Sequence, residues 1–171
     1  MIKLVVSGPE SSGKTTLATE LSKLYNTNLV EEYAREYLTN TKNDYCYNDL
    51  LKIAKKQDQL EQISTNKKIC ICDTDLITIK VWSEYKFKKC DQWIKNKIKS
   101  QKQQQRIYLL CKPDLDWEYD PQRENQFNRD ELFEIYLNEL RKIGHTYHII
   151  DGNNRLEKSK KILDNILNIN H

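Results

Sequence analysis

The sequence predicts a three-layer α/β sandwich built on a parallel sheet. Five short apolar runs, starting near residues 2, 29, 69, 106 and 147, alternate with stretches whose apolar residues recur at helical spacing. The first run leads directly into Gly8-Pro9-Glu10-Ser11-Ser12-Gly13-Lys14-Thr15, the pattern G-x-x-x-x-G-K-[ST] set between a strand and a helix. The third run closes on an acid, Asp73, at the strand end that a parallel sheet would bring beside that loop.

The chain of 171 residues is expected to form one domain spanning 1–171, large enough for a real core. Charged residues make up 31% and apolar ones 38%, the balance of a soluble globular protein. A net charge of +3 does not argue for nucleic acid. The densest basic run, Lys86-Phe87-Lys88-Lys89, reads as a solvated helix face. No apolar stretch reaches the roughly 18 residues that cross a membrane, and a strand starting at residue 2 leaves no room for a signal peptide. Neither nucleic acid nor membrane is therefore expected as a partner. Cys70, Cys72 and Cys111 fall in apolar runs, and no C-x-x-C pair joins them to Cys46 or Cys90. They read as small core residues of a reducing, cytoplasmic protein.

Strand 1 covers about 2–7 and helix 1 about 14–25, with Leu17, Ala18, Leu21 and Leu24 at helical spacing. Gly8 and Gly13 let the backbone turn so that successive N–H groups face one concavity. The helix N-terminus adds partial positive charge beneath it. Glu10, Ser11, Ser12 and Thr16 complete the nucleotide-binding stretch. Lys14 brings a mobile cation to the β- and γ-phosphates, and the Thr15 hydroxyl is placed to ligate Mg²⁺. ATP and Mg²⁺ are the expected cofactors.

Leu29-Val30 reads as a short second strand, followed by Glu31-Glu32-Tyr33-Ala34-Arg35-Glu36-Tyr37. Its carboxyl end opens into the crevice of the P-loop, which suits substrate. An ordinary acidic helix start, favoured by the macrodipole, fits equally. A polar loop over 40–48 leads to a helix at about 49–65, with Leu50, Ile53, Ala54, Gln57 and Leu60 on one face. Ile69-Cys70-Ile71-Cys72 ends in Asp73-Thr74-Asp75. Asp73 is expected to hold Mg²⁺, directly or through water, or to take the proton of an acceptor hydroxyl. Capping of the next helix by Asp73 or Asp75 is the alternative. Residues 76–105 are helical in tendency, apolar at the start and polar from Lys95 to Gln105, and Arg106–Cys111 reads as the fourth strand, stopped by Lys112-Pro113. Asp114 to Arg129 carries no period but several acids, aromatics and two arginines, and so reads as a lid over about 114–129. Arg123 and Arg129 are its candidate contacts to the transferring group. A helix over 130–143 ends at Gly144, a strand covers 147–150, and a last helix runs from about 155 to 168. His145, His148 and His171 show no metal-binding spacing.

Several P-loop branches are excluded. A GTPase wants D-x-x-G, and Asp73 is followed three positions on by Leu76. Thr41-Lys42-Asn43-Asp44 mimics N-K-x-D but lies far too early. A water-activating ATPase often places Glu directly after the strand-3 Asp, where this chain has Thr74. A small-molecule or nucleotide kinase remains. A kinase of another nucleoside or small alcohol, and a non-catalytic nucleotide-binding module, share the same features.

Gly8 through Ala18, Glu32-Tyr33-Ala34-Arg35-Glu36-Tyr37, Asp73-Thr74-Asp75, and Pro113-Asp114 with Trp117 and Asp120 through Arg123 resemble, in order, the ribosylnicotinamide kinase domain of NadR-type proteins. The resemblance implies a nucleoside-monophosphate-kinase-like fold with strand order 2-3-1-4-5. It implies ATP-dependent phosphorylation of the 5′-hydroxyl of nicotinamide riboside to the mononucleotide. With the P-loop at residue 8, the adenylyltransferase and DNA-binding domains that precede the kinase in many members are not expected here. A cationic nicotinamide ring suits aromatic faces and carboxylates, with Trp117, Tyr119 and Tyr33 as stacking candidates. Arg35 belongs to the same substrate stretch, and Asp75 or Asp120 suits the vicinal ribose hydroxyls. Glu32 or Asp73 would accept the hydroxyl proton. Asn153, in the Asp151–Asn154 loop, falls where such kinases hold adenine.

Overall fold

The computed structural model describes residues 1–63 and 67–168. Among them, five strands form one parallel sheet: β1 (Ile2–Ser7), β2 (Asn28–Val30), β3 (Ile69–Asp73), β4 (Arg106–Cys111) and β5 (Thr146–Ile150), in the order β2-β3-β1-β4-β5. The strands are apolar on both faces because helices cover both. Leu4, Val6, Ile71, Leu109 and Cys111 pack against α1 (Lys14–Leu24) and α7 (Arg155–Leu167). Val5, Cys70, Cys72, Tyr108 and Leu110 face the other layer. That layer holds α2 (Tyr33–Asn40), α3 (Tyr47–Ile63), α4 (Leu76–Phe87), α5 (Gln92–Gln101) and α6 (Arg129–Ile143).

The register pairs Val6 with Asp73 on one side of β1 and with Leu109 on the other. The carboxyl ends of all strands therefore open along one edge of the sheet. Chain order reverses at β1, which puts the topological switch point, and the crevice beyond it, at the P-loop.

One expectation is refined and two are corrected. Residues 76–105 are two helices: Lys88 takes a left-handed conformation (φ 57°) that stops α4, and Asp91 caps α5 by accepting the Trp93 N–H at 2.8 Å. Leu24 is 47% exposed, because the buried residues of α1 end at Ser22. The third helix starts at Tyr47, two residues earlier than expected, and its anticipated end at 64–65 lies outside the described residues, as does His171. Cys70, Cys72 and Cys111 are buried and free, as their strands implied.

Candidate active site

The P-loop leaves β1 through Gly8, whose φ of 137° only glycine adopts easily. A Cβ there would lie 2.5 Å from the Cys111 carbonyl oxygen, so the loop passes hard against the end of β4. Gly13, also left-handed at φ 75°, is the N-cap of α1. The Ser12 hydroxyl donates to the Pro9 carbonyl at 2.7 Å, and the Lys14 ammonium donates to that same oxygen. Lys14 is thus folded over the loop it serves.

A cleft of about 770 Å³ opens above this loop. Gly8, Glu10, Ser11, Ser12, Gly13, Lys14, Thr15, Thr16, Glu32, Arg35, Arg123 and Asn153 all line it, which brings together most of the residues anticipated from sequence. Asp73 lies just beneath its floor, 3% exposed, with the Thr15 side chain in hydrogen-bonding range of its carboxylate. Its Oδ1 is buried without a hydrogen-bond partner. An orphaned carboxylate oxygen beside a P-loop hydroxyl fits a hard, oxygen-loving cation such as Mg²⁺. Burial raises the pKa of Asp73, while the Thr15 hydrogen bond and the charges of Lys14 and Arg35 pull it back down. Glu32, at the N-terminus of α2, is raised by burial and by the charge of Asp73, against the lowering pull of Lys14 and Arg35. Two acids with raised pKa values beside one lysine are an arrangement that can handle a proton.

The alternatives at Asp73 and Asp75 separate cleanly. Asp75 is the helix cap, accepting the Ile77 N–H at 3.0 Å. Its other oxygen accepts from Arg106 at 3.1 Å and from the Tyr108 hydroxyl at 2.7 Å, with no part of it exposed. It is therefore a structural residue rather than a ribose ligand. Between the two aspartates, Thr74 takes a positive φ of 67°, a costly backbone for a β-branched residue, and its N–H donates to the Val6 carbonyl at 3.0 Å.

The anticipated stacking residues are placed elsewhere. Tyr33 packs edge-on against Tyr37, and Tyr119 is 86% exposed. Trp117 lies against the guanidinium groups of Arg123 and Arg129, 5.9 and 5.7 Å from its ring centre. Asp120 pairs with Arg35 at 2.8 Å, which holds its carboxyl below the usual range. The cleft has a different aromatic wall: Tyr45, Trp82, Tyr85 and Tyr136, with Val81, Leu132 and Lys86 between them. The signal for Trp82 and Tyr85 was present in their i, i+3 spacing on one helix. Their side was legible only once the sheet order was known.

Residues 114–128 form the irregular segment anticipated as a lid, and it lies docked on the P-loop. Glu10 accepts the backbone N–H groups of Glu124 and Asn125 at 3.0 and 2.8 Å. Ser11 donates to the Asp116 carbonyl and accepts the Glu118 N–H. Arg123 reaches Ser11 Oγ at 3.4 Å and the Glu118 carbonyl. Arg129 opens α6 and donates to the carbonyls of Ser11 and Leu115, outside the cleft lining, so it holds the loop rather than facing the cavity. Arg155, not anticipated, does comparable work at the far end. It is 6% exposed and donates to Ser12, Lys112 and Gly152 carbonyls and to the Asp114 carboxylate. A cation at the first position of a helix, against the macrodipole, was its sequence signal.

The fold and this site define a P-loop α/β domain, with the phosphate-binding loop at the switch point of a five-stranded parallel sheet. The AAA domain family matches residues 3–157, and the chain belongs to that family. No curated protein matches it in sequence. Among solved structures, NadR in complex with NR is similar at TM-score 0.80 and 20% identity, over 99% of this chain and 52% of that one. This chain spans about half the length of the NadR chains it matches. Deoxyadenosine kinase from M. mycoides is similar at TM-score 0.60 and 15% identity, over 98% and 99% of the two chains. Thymidylate kinase from Ehrlichia chaffeensis is similar at 0.60 and 19%, over 95% and 98%. These likenesses establish the shared fold. Among the described residues, no helix is long and apolar enough to cross a membrane.

Proposed function

We propose that the chain is an ATP-dependent kinase of the nicotinamide riboside 5′-hydroxyl, yielding the mononucleotide, in a cytoplasmic salvage role. The observation that carries this reading is the two-ended cleft. One end is the phosphate cradle around Lys14. The other is an aromatic wall of Tyr45, Trp82, Tyr85 and Tyr136, with Glu32 between them. A flat cationic ring gains from aromatic faces and from a nearby carboxylate. The fold shared with the NR-bound NadR structure supports it.

The residues divide the reaction as follows. Backbone N–H groups of the P-loop and Lys14 hold the β- and γ-phosphates in line with the acceptor. Thr15 and Asp73 would hold Mg²⁺, which when bound neutralises charge on the phosphates. Glu32 accepts the 5′-hydroxyl proton as the O5′–Pγ bond forms and the bond from Pγ to the bridging oxygen breaks, releasing ADP. Arg123 meets charge growing on the transferred group, and the docked lid keeps water away from it.

A second reading, a kinase of a neutral nucleoside, is favoured by Lys86, whose ammonium lines the same wall beside Tyr45 and takes up the Glu124 carboxylate, so that this acid is not free for a cationic ring. A panel of nicotinamide riboside, uridine, cytidine and deoxyadenosine with Mg·ATP separates them, with ADP and phosphorylated nucleoside both measured. Fastest turnover of nicotinamide riboside is expected. Faster turnover of a neutral nucleoside hands the case to the second reading, and ATP binding without any product points to a binding module.

A further inference from the structure

Gln57 sits on the core-facing stripe of α3 with Leu50, Ile53 and Ala54, and is 1% exposed. Both ends of its amide are used. Oε1 accepts the Tyr33 N–H at 2.9 Å, and Nε2 donates to the Glu31 carbonyl at 3.3 Å. Those two backbone groups flank Glu32. The strand that delivers Glu32 is only three residues long and lies at the sheet edge, paired to β3 alone through Asn28, Leu29 and Val30. The ladder therefore ends before Glu31. Glu32 is the N-cap of α2, yet its side chain makes no capping hydrogen bond, so its carboxylate is left to the cleft that it lines.

We propose that Gln57 is a positioning residue for Glu32, clamping the backbone on both sides so that this carboxylate meets the acceptor hydroxyl. The proposal rests on the reading of Glu32 as the acceptor-side base. The physical case is that a side chain reaching from a catalytic backbone across a free strand end needs an anchor. A buried amide gives two directional bonds where an apolar residue of the same size would give none and would leave two backbone groups unsatisfied. A misplacement of about 1 Å at a reacting group costs on the order of 100-fold in rate.

The test uses Gln57→Met, which keeps length and removes both bonds, alone and combined with Glu32→Gln. The acceptor is whichever nucleoside of the panel above the unaltered protein turns over fastest. Gln57→Met should lower kcat about 10- to 100-fold while ATP affinity stays within about twofold, and should cost nothing further in the Glu32→Gln background. An equal loss in both backgrounds, or an unchanged kcat, overturns the proposal and leaves the role of Glu32 standing. If Glu32→Gln is itself silent, or no nucleoside is phosphorylated, the base assignment fails and the proposal with it. Should Gln57→Met not fold, hydrogen exchange on the unaltered protein decides. The Tyr33 amide should exchange as slowly as the middle of α2, and rapid exchange there overturns the clamp.

Discussion

The phosphate end of the cleft is assembled from one run of chain, Gly8 through Thr16, while the acceptor end draws on α2, α4, α6 and the 41–46 loop. At the phosphate end each residue's task follows from its neighbours: glycines turn the backbone, the helix start supplies N–H groups, and Lys14 follows Gly13. At the acceptor end the wall residues come from three separate stretches, Tyr45, Val81–Lys86 and Leu132–Tyr136, and packing brings them together. The irregular segment 114–128 joins the two ends. Glu10 of the P-loop takes the amides of Glu124 and Asn125, and the Glu124 carboxylate meets Lys86 of the acceptor wall at 2.8 Å. A local site can be built by a motif, whereas a pocket that selects among substrates needs distant parts to agree.

The largest expected effect breaks the phosphate end alone. Lys14→Ala should reduce kcat by roughly 10²–10³-fold, as loss of one preorganised cation does, with the thermal midpoint unchanged within a few degrees. Near-normal turnover would remove the P-loop from the chemistry altogether.

The two carboxylates near Lys14, Asp73 buried and Glu32 partly exposed to the cleft, sharpen the comparison next. Asp73 belongs with the phosphate end and Glu32 with the acceptor end, and a loose transition state leans more on charge neutralisation than on a base. Asp73→Asn should therefore slow turnover more than Glu32→Gln; the opposite order means that their roles are exchanged. Because burial raises both pKa values above the ordinary carboxylate range, activity should climb with pH through those raised values, and Glu32→Gln should flatten part of that limb. The stability effect has the opposite sign. The folded protein binds these protons more tightly than the unfolded chain. The stabilisation they give is full below the ordinary carboxylate pKa and is lost as pH rises through the raised values. Glu32→Gln should accordingly raise the melting temperature at neutral pH.

The smallest effects are at the joint. Arg123→Ala should lower kcat with little change in ATP affinity. If only KM for ATP rises, Arg123 binds the ground state and the lid contributes no transition-state contact. Glu10→Ala should leave the fold intact and speed hydrogen exchange at Glu124 and Asn125, because it removes the acceptor of both amides.

The strands, the alternation of layers, the P-loop and its place between β1 and α1 were all legible in the sequence, because each depends on periodicity or on residues adjacent in the chain. Asp73 was legible as the acid ending a buried strand, and Glu32 as part of a group at the end of another. What the tertiary structure decided is where side chains two positions apart go. Asp73 and Asp75 have the same chemistry, and only the presence of Arg106 and Tyr108 across the sheet draws Asp75 into the core while Asp73 stays beneath the P-loop. Trp82 and Tyr85, Gln57 and Arg155 were visible as an aromatic pair, a polar residue on an apolar stripe and a cation at a helix start. Their partners lie tens of residues away, and side-chain pairing over that separation is set by sheet order and helix packing, which local patterns do not encode.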